Sequence, residues 1–190
     1  MPVVIHMATV ESYDVASTRR VGQWIKRANE VFAPHGIELY VRDFKRLPEG
    51  FTDVRRSKQR RALAGFAQHD GAVHLFVTES LDLAKPRLTR RRVRGLHWRY
   101  RGVSRDLRQR EYVVVTREAP DTTFAHEIGH LLGLRHSTSD DNIMCSCRTG
   151  SALGFTWAQG EAMRSGASTF STRQRQARRA HRRRADRRRR

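Results

Sequence analysis

The chain has 190 residues, 38% of them apolar, and a formal net charge of +19 at pH 7, enough for one domain with a real core and too few for two. No apolar run approaches the roughly 18 residues of a membrane span, so a transmembrane helix is excluded. The only cysteines, Cys145 and Cys147, sit one residue apart. A disulfide between them would be strained and close almost no loop, so free thiols are expected and no oxidising compartment is demanded.

The N-terminal stretch MPVVIHMATVESYD has no basic region, sustained apolar core or small-residue cleavage site, so it does not read as a signal peptide. The chain as written is therefore expected in the cytoplasm, unless it leaves by a non-classical route or is a fragment. Val3 to Val10 is apolar and mostly β-branched, which predicts a buried strand. Ser17 or Thr18 can cap a helix whose apolar residues Val21, Trp24, Ile25, Ala28, Val31 and Phe32 recur at helical spacing. Pro34, His35 and Gly36 end it. Ile37, Leu39 and Val41 then alternate with Glu38, Tyr40 and Arg42, the period of a strand with one buried face. This strand-helix-strand order predicts a parallel pair.

Residues 54–68 read as a second helix, with Leu63 and Phe66 inward and a solvated basic face at Arg55, Arg56, Lys58, Arg60 and Arg61. AVHLFV (72–77) reads as a buried strand in which His74 is a satisfied core or rim histidine rather than a ligand. A basic loop over 84–94 leads to LHWRYR, where Leu96, Trp98 and Tyr100 alternate with His97, Arg99 and Arg101 as in an exposed edge strand. The arginines either favour acidic substrates or keep the edge from aggregating. EYVVVT (111–116) is a further strand. Thr156 can cap a last helix containing Trp157, Gln159, Glu161 and Met163.

Residues 172–190 hold eleven arginines against one aspartate. With no apolar periodicity they are expected to be disordered, which divides the chain into a folded domain over 1–170 and an arginine-rich tail over 171–190. Such a tail suits nucleic acid, an anionic membrane surface or an acidic protein, and is equally readable as a solvated end without a dedicated partner.

Between the strand at 111–116 and the last helix lies HEIGHLLGLRH, residues 126–136. In a helix over 121–132, capped by Asp121 or Thr122, His126 and His130 lie one turn apart on one face and can reach the same zinc ion at about 2.0–2.1 Å. Glu127 points off that face, placed to hold a water rather than the metal. Gly133 supplies the positive φ that ends the helix and brings His136 back as third ligand. Three ligands leave a position open, the stoichiometry of a catalytic zinc. HExxH alone also occurs on ordinary helices with solvated histidines, and it is the glycine, the third histidine and Met144 downstream that favour a metal centre.

At these residues the chain resembles the metzincin metallopeptidases. Ser137 after the third histidine, and the spacing from His136 to Met144 in HSTSDDNIM, resemble the matrixin branch. The resemblance implies a zinc-dependent endopeptidase of α+β fold: a mixed, mostly parallel twisted sheet with an antiparallel edge strand, an active-site helix, a Met-turn and a C-terminal helix. It implies Glu127 as general base and Met144 as an apolar floor beneath the histidines. Leu96, Trp98 and Tyr100 would belong to the strand that binds an extended substrate, and a loop from Arg148 to Gly154 would wall the specificity pocket.

No cysteine-switch pro-segment is expected, a departure from that branch. The chain shows no His and Asp set for a second zinc, so neither a second zinc nor structural calcium is supported. Cys145 and Ser146 stand where the branch often has Tyr and Pro. The expected partner is a protein or peptide substrate, and the expected state a monomer. Two other readings stay open: a peptidase recruited to nucleic acid by its tail, and a catalytically silent, zinc-stabilised binding protein, against which Glu127 argues.

Overall fold

Strand β1 (Pro2–Met7) is buried along nearly its whole length because it lies inside a five-stranded sheet and not at its rim. The other strands are β2 (Tyr40–Arg46), β3 (Val73–Thr78), β4 (Gly95–Arg99) and β5 (Glu111–Thr116). Their order across the sheet is β2-β1-β3-β5-β4. All neighbours are parallel except β4, which runs antiparallel to β5 at the edge. Every residue of β3 and β5 is buried. This computed structural model describes residues 1–83, 91–105, 107–145 and 154–188. Most of the expected loops over 84–94 and 148–154, together with Ser146 and Cys147, lie outside them.

Helix α1 (Thr18–Phe32) forms as its periodicity predicts: Ser17 Oγ accepts from the Arg20 N–H at 3.1 Å, and the six expected apolar residues are buried. The chain leaves it through a short 3-10 turn and Gly36, whose φ of 70° requires a residue without a Cβ clash. The strand expected over 37–42 starts later. Ile37 and Leu39 are buried in the connection, where the Asn29 side chain bonds both backbone groups of Leu39, whereas all seven residues of β2 are exposed, Val41 among them. An open sheet edge, not the alternating pattern, decides burial there.

Helix α2 spans Ser57–Phe66, shorter than expected, because Asp53 and Val54 pair instead with a short strand at Ser80–Leu83. Helix α3 (Thr123–Leu131) follows β5 and packs against α1 and β4. Arg20 fixes its entrance, reaching Asp121 at 2.5 Å and the Ala119 carbonyl at 2.7 Å, while Trp24 Nε1 donates to the same carbonyl at 3.2 Å. Trp24, the inner faces of the strands and α3 share one apolar core.

Helix α4 runs from Trp157 to Arg188. Met163, Phe170 and Gln174 form its buried stripe, and at Gly166 it crosses the end of α3 so closely that a Cβ would lie 1.9 Å from the Leu132 carbonyl oxygen. The arginine-rich segment expected to be disordered therefore continues this helix. Beyond Gln174 none of the described side chains is buried, so what extends the helix is a nucleus already formed by the packed turns and the good helix propensity of Arg, Ala and Gln. No helix among the described residues is long and apolar enough to cross a membrane.

Candidate functional site: a three-histidine centre in a cleft

Helix α3 places His126 and His130 one turn apart, and Gly133, with φ of 98°, turns the chain so that His136 returns toward them. His130 Nε2 lies 3.1 Å from both His126 Nε2 and His136 Nε2. Two nitrogens held tetrahedrally at about 2.0–2.1 Å from one ion stand roughly 3.3 Å apart, so the spacing fits zinc. The far side of each helical imidazole is anchored. His126 Nδ1–H donates to the Ile143 carbonyl at 2.7 Å and His130 Nδ1–H to the Leu134 carbonyl at 2.9 Å, which leaves the Nε2 lone pairs facing each other.

Converging lone pairs repel unless a cation lies among them. Burial also disfavours the imidazolium forms, holding His126 below the ordinary range and His130 at about 4. The donor set therefore fits one zinc ion. Among the described residues these histidines are the one group of three or more His, Cys, Asp or Glu side chains whose ligand atoms converge.

Met144 is fully buried beneath them. A Cβ on Gly129 would lie 2.5 Å from its sulfur, so the helix rests directly on that side chain. Asn142 holds this turn: its Oδ1 accepts from Met144 N–H at 2.9 Å, and its amide meets Gln159 of α4 at 2.9 Å. Cys145 is disulfide-bonded, where a free thiol was expected; spacing along the chain does not by itself decide whether a sulfur pairs.

A cleft of about 760 Å³ runs between β4 and α3 and is lined by Glu127 and all three histidines. Leu96 and Trp98 line it too, with Trp98 stacked on Tyr112 at 4.9 Å. Tyr100 does not; it lies beyond the end of β4, where its hydroxyl accepts from Ser104 N–H at 2.8 Å. Burial raises the Glu127 carboxyl to about 7, opposed by a hydrogen bond from the His97 backbone N–H. A dication on the histidines works against that rise by favouring the carboxylate.

Sequence reasoning missed Gly95, at which a Cβ would lie 2.7 Å from Glu127 Oε1 and 2.5 Å from Thr123 Cγ2; a glycine opening an edge strand was the available signal. It also missed a charged group deeper in the cleft. The Glu111 side chain, 2% exposed, faces Arg173 Nη2 at 2.5 Å, His97 Nε2 at 3.6 Å and Arg99 Nε at 3.8 Å. Burial pushes its carboxyl up, but His97 and Arg173 outweigh burial and hold it below the usual range.

No curated protein sequence matches the chain. Among solved structures, the fold is similar to metalloproteinase-II from Bacteroides fragilis, with a TM-score of 0.55 and 12% identity over 87% of this chain and 52% of that one. The present chain thus spans about half the length of that protein. It is also similar to a zinc-dependent peptidase from Methanocorpusculum labreanum, with a TM-score of 0.50 and 16% identity over 86% of this chain and all of that one. At such identities the likeness establishes the fold. Residues 3–171 match the profile of Reprolysin_5, described as metallo-peptidase family M12, and the chain therefore belongs to the M12 family of metallopeptidases.

Proposed function

We propose that the chain is a zinc-dependent endopeptidase in which His126, His130 and His136 hold the ion and Glu127 is the general base. The observation that carries this is the convergence of three histidine nitrogens, 3.1 Å apart along His130, in the cleft that Glu127 also lines. Bound zinc would lower the pKa of a water toward about 7 and polarise the scissile carbonyl. Glu127 takes the proton from the attacking water and returns it to the departing amine nitrogen. The His97 N–H orients the carboxylate for both transfers. Met144 keeps the floor apolar, and Leu96 and Trp98 line the path of an extended peptide.

Membership of the M12 family supports a metallopeptidase. The finer likeness to matrixins rests on Ser137 and the His136–Met144 spacing alone. The test is cleavage of a quenched peptide library. Turnover lost with a chelator and restored by zinc is the expected result, and peptide cleavage indifferent to metal removal would count against the reading. A second proposal concerns the arginine-rich end of α4, a helix that runs on to Arg188. We propose that it binds nucleic acid. A steep loss of binding with rising salt, abolished by deleting residues 177–190, is expected, and salt-independent binding would exclude it.

A further inference from the structure

One carboxylate besides Glu127 lines the described cleft wall, and it is outnumbered. Glu111 faces Arg173 at 2.5 Å, and both are drawn into a cluster with Arg99 and His97. Arg101 lines the same cleft and forms no ion pair among the described residues. A single buried carboxylate neutralises one guanidinium, so the cleft keeps excess positive charge, partly sheltered from water and aimed inward. Arg99, with 39% of its side chain exposed, and Arg173, with 23%, still present N–H groups to an incoming ligand.

Position along β4 gives this charge a register. Among the described residues the strand is paired on one side only, with β5, and its residues Gly95 to Arg99 all line the cleft. The Glu127 carboxylate packs against this strand at Gly95 and faces the His97 N–H, which marks where a bond is cut. At about 3.3–3.4 Å per residue, Arg99 stands roughly 7 Å further along, and Arg101 follows two residues beyond the end of the strand. A peptide extended along this edge brings side chains two to four residues from the cleaved bond against those guanidinium groups.

We infer that the cleft selects peptides carrying an aspartate or glutamate two to four residues to one side of the scissile bond, read by Arg99 and Arg101. The inference rests on the peptidase reading for its register. Charge-assisted hydrogen bonds of this kind support a preference of about ten-fold over the neutral isostere.

The test scans a single Glu or Gln through those positions on both sides of the bond in otherwise identical quenched peptides. Wild type is compared with the double variant Arg99→Gln/Arg101→Gln and with Arg105→Gln/Arg108→Gln, which removes the same charge outside the cleft. Binding of the same peptides to Glu127→Ala is measured in parallel. The expected result is an approximately ten-fold higher kcat/KM for Glu on one side, abolished in the first variant and kept in the second, with the same ratio in the dissociation constants. Equal treatment of Glu and Gln by wild type overturns the inference, as does a preference lost equally in both variants, which would make it an effect of overall charge. If wild type cleaves nothing while Glu127→Ala still binds the Glu peptides tighter, the peptidase reading falls and the acidic preference stands. Absence of both defeats both.

Discussion

Two histidine clusters in this molecule are built from the same side chain and do opposite things with it. In the cleft, His126 and His130 each tie Nδ1 to a backbone carbonyl and leave Nε2 free. In the sheet, His6 and His74 on neighbouring strands spend their nitrogens on each other and on the fold. His74 Nε2 faces two acceptors, the Gln68 carbonyl at 3.0 Å and Asp70 Oδ1 at 3.1 Å, so it must carry the proton. Its Nδ1 then accepts from His6 Nε2 at 2.9 Å. Both rings are 2% exposed. Burial alone therefore does not make a ligand. A histidine becomes one when its second nitrogen is anchored and its first faces an opening shared with other lone pairs.

The largest effect that can break this comparison lies in the cleft. Replacing His130 by Ala removes the shared apex of the two 3.1 Å contacts, and both zinc content and peptide turnover should fall by at least about a thousand-fold; retention of stoichiometric zinc would show that the triad is not the metal centre. A smaller loss is expected from Gly95→Ala, whose Cβ would displace Glu127 and Thr123. Zinc should remain while kcat drops by about 10- to 100-fold, because the base is moved and not removed. Unchanged kcat would mean that Glu127 is not held by this close approach.

The sheet cluster should respond to acid. Burial first, then the neighbouring His74, holds His6 at about 3, below the ordinary 6.5, so between those values the unfolded chain binds more protons than the folded one. The stability contributed by a neutral His6 is fully present above pH 6.5 and is lost as pH falls toward 3, by a few kcal/mol in all. Burial pushes the Asp70 carboxyl up, but His74, the Ala72 N–H and Arg42 outweigh it and hold it low, which adds to the loss below about pH 4. Denaturant midpoints measured from pH 7.5 to 3.5 should drop in wild type and drop less steeply in His6→Gln, where His126, His130 and Asp70 still titrate; parallel slopes would remove His6 from the account. The smallest change is expected from deleting residues 177–190, which hold no buried side chain among those described. Thermal stability should shift by no more than about 0.5 kcal/mol, and a larger loss would mean that the arginine-rich end packs on the domain.

The cleft cluster was legible in the sequence because its parts lie within eleven residues, and one helix plus one glycine brings them together. Its anchors were not, since the Ile143 carbonyl is reached only after the chain folds back beneath α3. The His6–His74 pair is 68 residues apart, and nothing in either strand announces the other; burial of His74 was readable, its partner was not. Glu111 and Arg173 are likewise joined only by the sheet and α4. The five-stranded sheet followed from apolar runs, but the exposure of β2 depended on which strand became the edge. For the arginine-rich segment composition reports the lack of a core face, whereas the helix it continues is set by the packed turns before it.

The most direct test pairs zinc content with peptide cleavage in wild type and Glu127→Ala side by side. The account expects one zinc per chain in both proteins and turnover only in wild type, reduced by at least about a hundred-fold in the variant. Cleavage by Glu127→Ala at the wild-type rate, with the same zinc content, would contradict it.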